Sequence, residues 1–253
     1  MSVAAGRDAL VLGPGWSRRW TATLRTAGEE VSCAIRDLAQ AAMVPGGSPM
    51  RGFSWRRAQR HRPGLHFLVS TGRHHGAESL EEARVLLAMD FAADLVDVVS
   101  QPMRLRFDTE TGRRAHIPDF LAVTRTGMWL VDVRPQPLIG PDDLVAFAAA
   151  AEVALACGWR YVVAAGWREH VAAAVDVYSS QRRPLSDPFG LRPVLLAAAC
   201  GGGTFGELAE AAPFPPLGRA QLLHLLWHRT LGADLSRPFG DRSMVINPAG
   251  RTR

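Results

Sequence analysis

The sequence predicts a mixed α/β fold in which helices flank a sheet. Residues 78–178 alternate between helical and strand-like hydrophobic spacing, in the order helix, three strands, helix, strand and helix. A stretch at 179–190 that contains proline and serine then separates this region from a second, mainly helical one. We therefore expect an α/β domain at 48–180 and a smaller domain at 181–253.

The N-terminal region, residues 1–47, is predicted to form a β element. Short β-like runs at 20–24 and 31–35 lie on either side of a turn-like segment at 26–28, which is the pattern of a hairpin. After it, residues 51–66 mix arginines with aromatic side chains and indicate a basic loop or arm.

The elements of the α/β domain follow from their hydrophobic spacing. Apolar residues at helical intervals predict a first helix over 78–89. The later elements are strands over 103–107, 115–123 and 128–133, a helix from about 142, a strand over 161–165 and a helix over 168–178. The three consecutive strands are expected to pair antiparallel.

The C-terminal domain is predicted to contain three helices and a short β-like tail. The helices are expected at 193–200, 205–212 and 218–230, and the tail ends near 246. This is the plan of a winged helix, although many small helical domains have the same order of elements.

The charge of the chain points to a polyanionic partner. Its formal net charge is +5, and because it contains no lysine, its 29 basic residues are all arginine. Six arginines lie between Asp37 and Glu78, where no acidic residue occurs: Arg51, Arg56, Arg57, Arg60, Arg62 and Arg73. With Trp55 among them they suit phosphate neutralisation and base stacking, so we predict contact with double-stranded DNA; a solvated basic loop is the alternative.

The cysteines and the hydropathy predict a cytoplasmic protein with no membrane segment. Cys33, Cys157 and Cys200 match neither a disulfide framework nor zinc-ligand spacing. The most apolar stretch, at 144–157, is interrupted by Glu152.

Two aspartates on neighbouring strands carry the predicted chemistry. If Thr124 faces Gly127 across the turn, Asp119 lies directly opposite Asp132, and like charges in that position destabilise a sheet unless a cation separates them. Mg²⁺ suits this position because it prefers carboxylate oxygens, waters and substrate phosphate. The plain alternative is two surface aspartates with a salt-bridging Arg134.

Two further side chains complete the predicted site. Arg134 follows Asp132 by two residues, so it is expected on the same strand face, where it can hydrogen-bond a phosphate or orient water. It cannot act as a base because guanidinium stays protonated. Glu82, on the preceding helix, could supply a third carboxylate.

Several short motifs resemble the TnsA-like endonuclease subunits of heteromeric transposases. The matching segments are Glu78-Ser79-Leu80-Glu81-Glu82, Gln101-Pro102, His116-Ile117-Pro118-Asp119-Phe120 and Val131-Asp132-Val133-Arg134-Pro135. They fall in the order of that family's E-S-x-x-E helix, Q-P strand, P-D strand and E-x-K-type strand. The resemblance covers most of residues 50–246.

The resemblance implies a restriction-endonuclease-like fold of the PD-(D/E)xK superfamily. It assigns the catalytic glutamate to Glu82, with Glu81 as a substitute, the metal-binding aspartate to Asp119, and the second acidic position to Asp132. Arg134 takes the place of the family's lysine. Glu82, Asp119 and Asp132 would hold Mg²⁺, for which Mn²⁺ substitutes.

The implied activity is hydrolysis of one DNA strand at each transposon end. The implied partners are a DDE transposase subunit and an AAA+ ATPase, which the winged-helix-like C-terminal region contacts. Two alternatives stay open: an inactive DNA-binding or assembly subunit of the same complex, and a stand-alone repair or restriction nuclease.

His224 and His228, one helical turn apart, fit a zinc site less well than a structural helix face.

Overall fold

A computed structural model describes residues 3–42, 47–52 and 63–248. The predicted α/β class is confirmed: antiparallel sheets are flanked by helices. Among the helices of these residues, none has the length and apolar character needed to cross a membrane. Four arginines of the predicted arm lie outside the described residues: Arg56, Arg57, Arg60 and Arg62.

The chain divides into two units. The first comprises Met1–Leu86 and Asp94–Gly166, and the second comprises Leu87–Ala93 and Trp167–Arg253. The elements up to residue 166 are a 3-10 helix (Val3–Ala9), α1 (Trp16–Arg19), β1 (Thr21–Thr26), β2 (Glu29–Ala34), α2 (Ile35–Ala42), β3 (Gly47–Ser48), β4 (Gly64–Leu68), β5 (Arg73–Ala77), α3 (Leu80–Phe91), β6 (Leu95–Ser100), β7 (Met103–Thr109), β8 (Gly112–His116), β9 (Phe120–Thr124), β10 (Gly127–Val133), a 3-10 helix (Gln136–Leu138), α4 (Pro141–Ala156) and β11 (Arg160–Ala164).

The N-terminal hairpin is present as β1 and β2. The strands pair antiparallel from Thr21 with Ala34 to Thr26 with Glu29, and the two turn residues Ala27 and Gly28 have positive φ angles. β1 also pairs with β7, so the hairpin joins a sheet of order β2-β1-β7-β8, to which β3 adds beside β1. The N-terminal region is thus continuous with strands of the predicted α/β domain.

The prediction of one strand over 115–123 is wrong, because two strands occupy this segment in different sheets. β8 ends at His116 and pairs with β7, whereas β9 begins at Phe120 and pairs with β6 and β10. Pro118, between them, has no backbone N–H to donate to a ladder, so the segment is a natural place for the chain to leave one sheet. The three strands are therefore not a single antiparallel meander.

The sheet that carries the candidate site has the order β11-β10-β9-β6. β10 pairs antiparallel with β9 and parallel with β11, and α4 provides the crossover between the two parallel strands. α4 buries Phe147, Ala150 and Ala154. Ala150 and Ala154 belong to the same hydrophobic core as Leu121 of β9 and Leu130 of β10. β6 and the β4–β5 hairpin were not predicted from the sequence.

Besides the end of α3, the described residues of the second unit form four helices and a two-stranded sheet. They are α5 (Glu169–Ser179), α6 (Leu191–Cys200), α7 (Phe205–Glu210), α8 (Pro215–Trp227), β12 (Gly232–Ala233) and β13 (Val245–Ile246). The last three helices and the paired strands follow the predicted order. α5 contributes Tyr178 to the same hydrophobic core as α8, whereas the sequence assignment grouped it with the preceding domain.

Close packing of α7 and α8 leads to a stability prediction at Gly218. A β-carbon at this position would lie 2.7 Å from Cβ of Ala212 and 3.1 Å from the carbonyl oxygen of Ala209. We expect Gly218→Ala to lower the free energy of unfolding by about 1–2 kcal/mol, because overpacking outweighs the gain in helix propensity. Thermal denaturation followed by circular dichroism measures it.

The matched control is Gly13→Ala, since a β-carbon there meets no heavy atom within 4 Å. This variant should be as stable as the wild type or slightly more so. Equal stability of the two variants would contradict the packing argument.

Candidate functional site

The turn between β9 and β10 sets the position of the two aspartates. Thr124 pairs with Gly127, as predicted, and the ladder continues to the pair Phe120–Val131. The same register places Asp119 and Asp132 opposite each other immediately beyond that pair. The backbone N–H of Asp119 still donates to the carbonyl of Val131 at 3.0 Å, so the alignment extends to the candidate site.

The carboxylate of Asp132 is buried and held by two side chains. Its side chain is 1% exposed, and Oδ1 lies 2.8 Å from Nε2 of His116. The hydroxyl of Tyr161 donates to Oδ2 at 2.6 Å. Burial alone lowers the pKa of His116, but the charge and hydrogen bond of Asp132 outweigh this effect and raise it above its usual value. The pair is therefore a charge-assisted contact when His116 is protonated.

Asp119 lies among like charges with less compensation. Its Oδ2 accepts a hydrogen bond from the backbone N–H of Val133 at 2.6 Å. Burial, followed by the negative charges of Asp132 and Glu82, raises the pKa of Asp119 to about 8. The structure thus brings the three predicted carboxylates close enough for Asp119 to be affected by the other two.

Glu82 has a second, structural role at the beginning of α3. Its Oε2 accepts from the backbone N–H of Glu78 at 2.7 Å, and its Oε1 accepts from the hydroxyl of Ser79 at 2.9 Å. The hydroxyl of Ser79 in turn accepts from the backbone N–H of Glu82 at 3.2 Å. This resembles a capping box, which satisfies N–H groups at the first turn of a helix. Glu81, the alternative glutamate, instead pairs with Arg84 at 2.6 Å.

Arg134 lies just after the end of β10 and has local partners. Its Nε is 3.4 Å from Oδ2 of Asp143 and donates to the carbonyl of Leu138 at 3.3 Å. The side chain is 45% exposed. Arg134 therefore forms no ion pair with Asp119 or Asp132. Its catalytic role stays a prediction.

A cleft of about 330 Å³ opens beside Asp119. Its polar lining comes from residues far apart in the sequence: Arg51, Glu78, Gln101, Arg104, His116 and Asp119. Of the predicted DNA-binding arginines, Arg51 lines this cleft and Arg73 forms an ion pair with Asp97. The candidate site is therefore open on a side whose lining includes two arginines and two carboxylic acids.

The carboxylates of the site can be compared with the ligand requirements of a divalent cation. In the part of the chain that the structure describes, no group of three or more His, Cys, Asp or Glu side chains is arranged to hold a metal ion. Magnesium commonly uses one or two carboxylates and completes its shell with water and substrate phosphate. Asp119 and Asp132 fit that requirement. A cation would neutralise the negative charges of Asp132 and Glu82 that act on Asp119. A metal contact by Glu82 stays a prediction.

Sequence reasoning missed two contributors to the site. Tyr161 reaches Asp132 because β11 pairs parallel with β10, a contact that depends on the crossover through α4. Gln101 lines the cleft, whereas the sequence indicates it only as part of a family motif. The contact between His116 and Asp132 could have been expected from the sequence, because His116 precedes Asp119 by only three residues.

The two histidines at the C-terminal end of α8, His224 within the helix and His228 just after it, have a structural environment in the second unit. The rings of His224 and His228 lie 4.3 Å apart. Nδ1 of His224 is 2.8 Å from the carbonyl oxygen of Gln181, and burial lowers the pKa of His224. These contacts agree with the interpretation of a packed helix face.

The environment of Asp119 predicts a pH-dependent stability of the metal-free protein. In the folded chain the pKa of Asp119 is about 8, whereas the ordinary pKa of an aspartate is 3.8. The stabilisation from this proton is complete below pH 3.8 and is lost as the pH rises towards 8. In EDTA at pH 8, we expect Asp119→Asn to raise the free energy of unfolding by about 2 kcal/mol, or Tm by about 4–8 °C.

Thermal denaturation between pH 4 and pH 8 measures this effect, because the difference between variant and wild type should grow with pH. Asp176→Asn, at an exposed position of α5, is the matched control and should follow the wild type. Parallel profiles for wild type and Asp119→Asn would contradict the raised pKa of Asp119.

The two tyrosines of the chain provide a second test. Tyr161→Phe removes a donor from the buried carboxylate of Asp132, so we expect a loss of about 1–3 kcal/mol in unfolding free energy. The hydroxyl of Tyr178 is buried and has no hydrogen-bond partner among the described residues. Tyr178→Phe should therefore be neutral or stabilising in the same urea denaturation experiment, and equal losses would contradict the role assigned to Tyr161.

The sequence was also compared with known proteins. Neither the sequence profiles of known protein families nor the curated proteins contain a match to this chain.

Proposed function

We propose that the chain is the metal-dependent DNA endonuclease subunit of a TnsA-like heteromeric transposase, which hydrolyses one strand at transposon ends. The observation that carries the proposal is the pair of the buried Asp132 and the partly buried Asp119, which lie opposite each other on two paired strands beside a cleft that two arginines help to line. Paired carboxylates suit a divalent cation, and arginines suit the phosphates of DNA.

Asp119 and Asp132 would hold Mg²⁺ or Mn²⁺ in this proposal, with Glu82 as a further ligand. The metal would polarise the scissile phosphate and lower the pKa of a bound water. The protein side chains would bind and orient. His116 and Tyr161 keep the carboxylate of Asp132 in one orientation, as partners of metal-binding groups commonly do. Arg134 would contribute positive charge near the phosphate.

The proposal includes the finer fold assignments. A mixed sheet with α3 before it and α4 as its crossover is compatible with a restriction-endonuclease-like core. The order α6, α7, α8 and the paired strands β12 and β13 is compatible with a winged-helix-like region. We propose that this region contacts the AAA+ ATPase and that a DDE transposase subunit cuts and joins the other strand.

An inactive DNA-binding or assembly subunit is the second candidate, and particular contacts favour it. Both oxygens of Asp132 already accept hydrogen bonds, and both oxygens of Glu82 serve the beginning of α3. Arg134 is paired with Asp143.

A stand-alone repair or restriction nuclease is the third candidate; genes for a DDE transposase and an AAA+ ATPase beside this gene would argue against it.

The test is DNA nicking by the purified full-length chain in Mg²⁺ or Mn²⁺, alone and with any transposase and ATPase encoded by neighbouring genes. We expect Asp119→Ala and Asp132→Ala to lower the nicking rate by at least about 100-fold, because each removes a ligand of the metal. Gel separation of nicked from intact supercoiled plasmid measures the rate.

Asp176→Ala is the control for loss of an aspartate, since this side chain lies at an exposed position of α5. It should nick as the wild type does. If wild type and Asp119→Ala are indistinguishable with the partners present, the endonuclease proposal fails and the inactive subunit is favoured.

A further inference from the structure

The cleft beside Asp119 contains an arginine that was not among the predicted DNA-binding residues. Arg104 lies on β7, where Met103, Leu105 and Phe107 point into the core and the alternating residues point out. It is partly buried, and it lines the cleft together with the exposed Arg51. Among the described residues neither guanidinium forms an ion pair.

Arg104 is partly buried and has no acidic partner among the described residues. Burial removes water from the charged group, and proteins normally compensate with a carboxylate or another anion. The two acidic groups of the same cleft, Glu78 and Asp119, form no ion pair with Arg104. Its guanidinium is therefore available to a ligand that enters the cleft.

Gln101 provides a second, independent observation at the same place. The residue is 4% exposed, yet its side-chain Oε1 has no hydrogen-bond partner among the described residues. Its backbone has a φ of 47°, which side-chain-bearing residues seldom adopt. Its N–H donates to the carbonyl of Asp119 at 2.6 Å, which links it to the candidate site. Unpaired polar groups and backbone strain of this kind are concentrated at binding sites.

We infer that this cleft binds one phosphodiester group of the DNA backbone, next to the bond that is cut, with Arg104 as the main contact and Arg51 as the second. The inference rests on the proposed function. A guanidinium presents several N–H donors in a fork that matches two phosphate oxygens.

The test measures DNA binding without cleavage. Fluorescence anisotropy of a labelled duplex is recorded with the full-length chain in EDTA, over a series of salt concentrations. We expect Arg104→Ala to weaken binding about 10-fold and to reduce the slope of log affinity against log salt by about one, because one phosphate contact is lost. Arg104→Lys keeps the charge and should retain more of the affinity than Arg104→Ala.

Arg106→Ala is the matched control. Arg106 lies two residues further along β7 on the same face, is exposed, and is not among the residues that line the cleft. It should change the affinity less than about 2-fold. Circular dichroism melts of each variant identify any loss through misfolding.

The outcomes separate this inference from the proposed function. Equal affinities of Arg104→Ala and Arg106→Ala, with normal folding, would overturn the phosphate site and leave nuclease activity to be judged by the nicking assay. Failure of the wild type to bind duplex DNA in EDTA and in Ca²⁺ would overturn both. Normal DNA binding with no nicking in the presence of the partners would overturn the nuclease proposal alone.

Discussion

The buried carboxylate of Asp132 is the main constraint on this part of the protein. A carboxylate removed from water is costly unless donors or cations compensate it. Here one donor comes from Tyr161 on the parallel neighbour β11 and the other from His116 at the end of β8, in a different sheet. The hydrogen bonds to the Asp132 carboxylate therefore connect the sheet that contains β8 with the sheet that contains β10. They do so close to the segment by which the chain passes from one sheet to the other.

Glu82 illustrates how one residue can serve local structure and a candidate site together. Its carboxylate satisfies donors at the first turn of α3, and its charge still contributes to the raised pKa of Asp119. The spacing from Ser79 to Glu82 is that of a common helix-capping pattern. The E-S-x-x-E segment is consequently weaker support for catalysis than the opposition of Asp119 and Asp132, which places two carboxylates close together.

The sequence predicted best where the determining interactions are local. The register of β9 and β10 follows from a two-residue turn and from the strict alternation of strands. Apolar periodicity predicted α3, and the alanine-rich composition after residue 142 predicted α4. The strand predicted over 115–123 failed because hydrophobic alternation does not reveal which sheet a strand joins. β4 was missed because its segment was assigned to a basic arm, and β6 because its identity depends on pairing with β9.

By itself, the sequence determined the α/β class, the all-arginine positive charge and the opposition of two aspartates across a turn. Only the tertiary structure decided that His116 and Tyr161 hold Asp132, that Arg134 pairs with Asp143, and that Arg104 lines the cleft. The reason is physical. Turns and periodicity act over a few residues, whereas partners for a buried charge are chosen by the packing of strands distant in the chain.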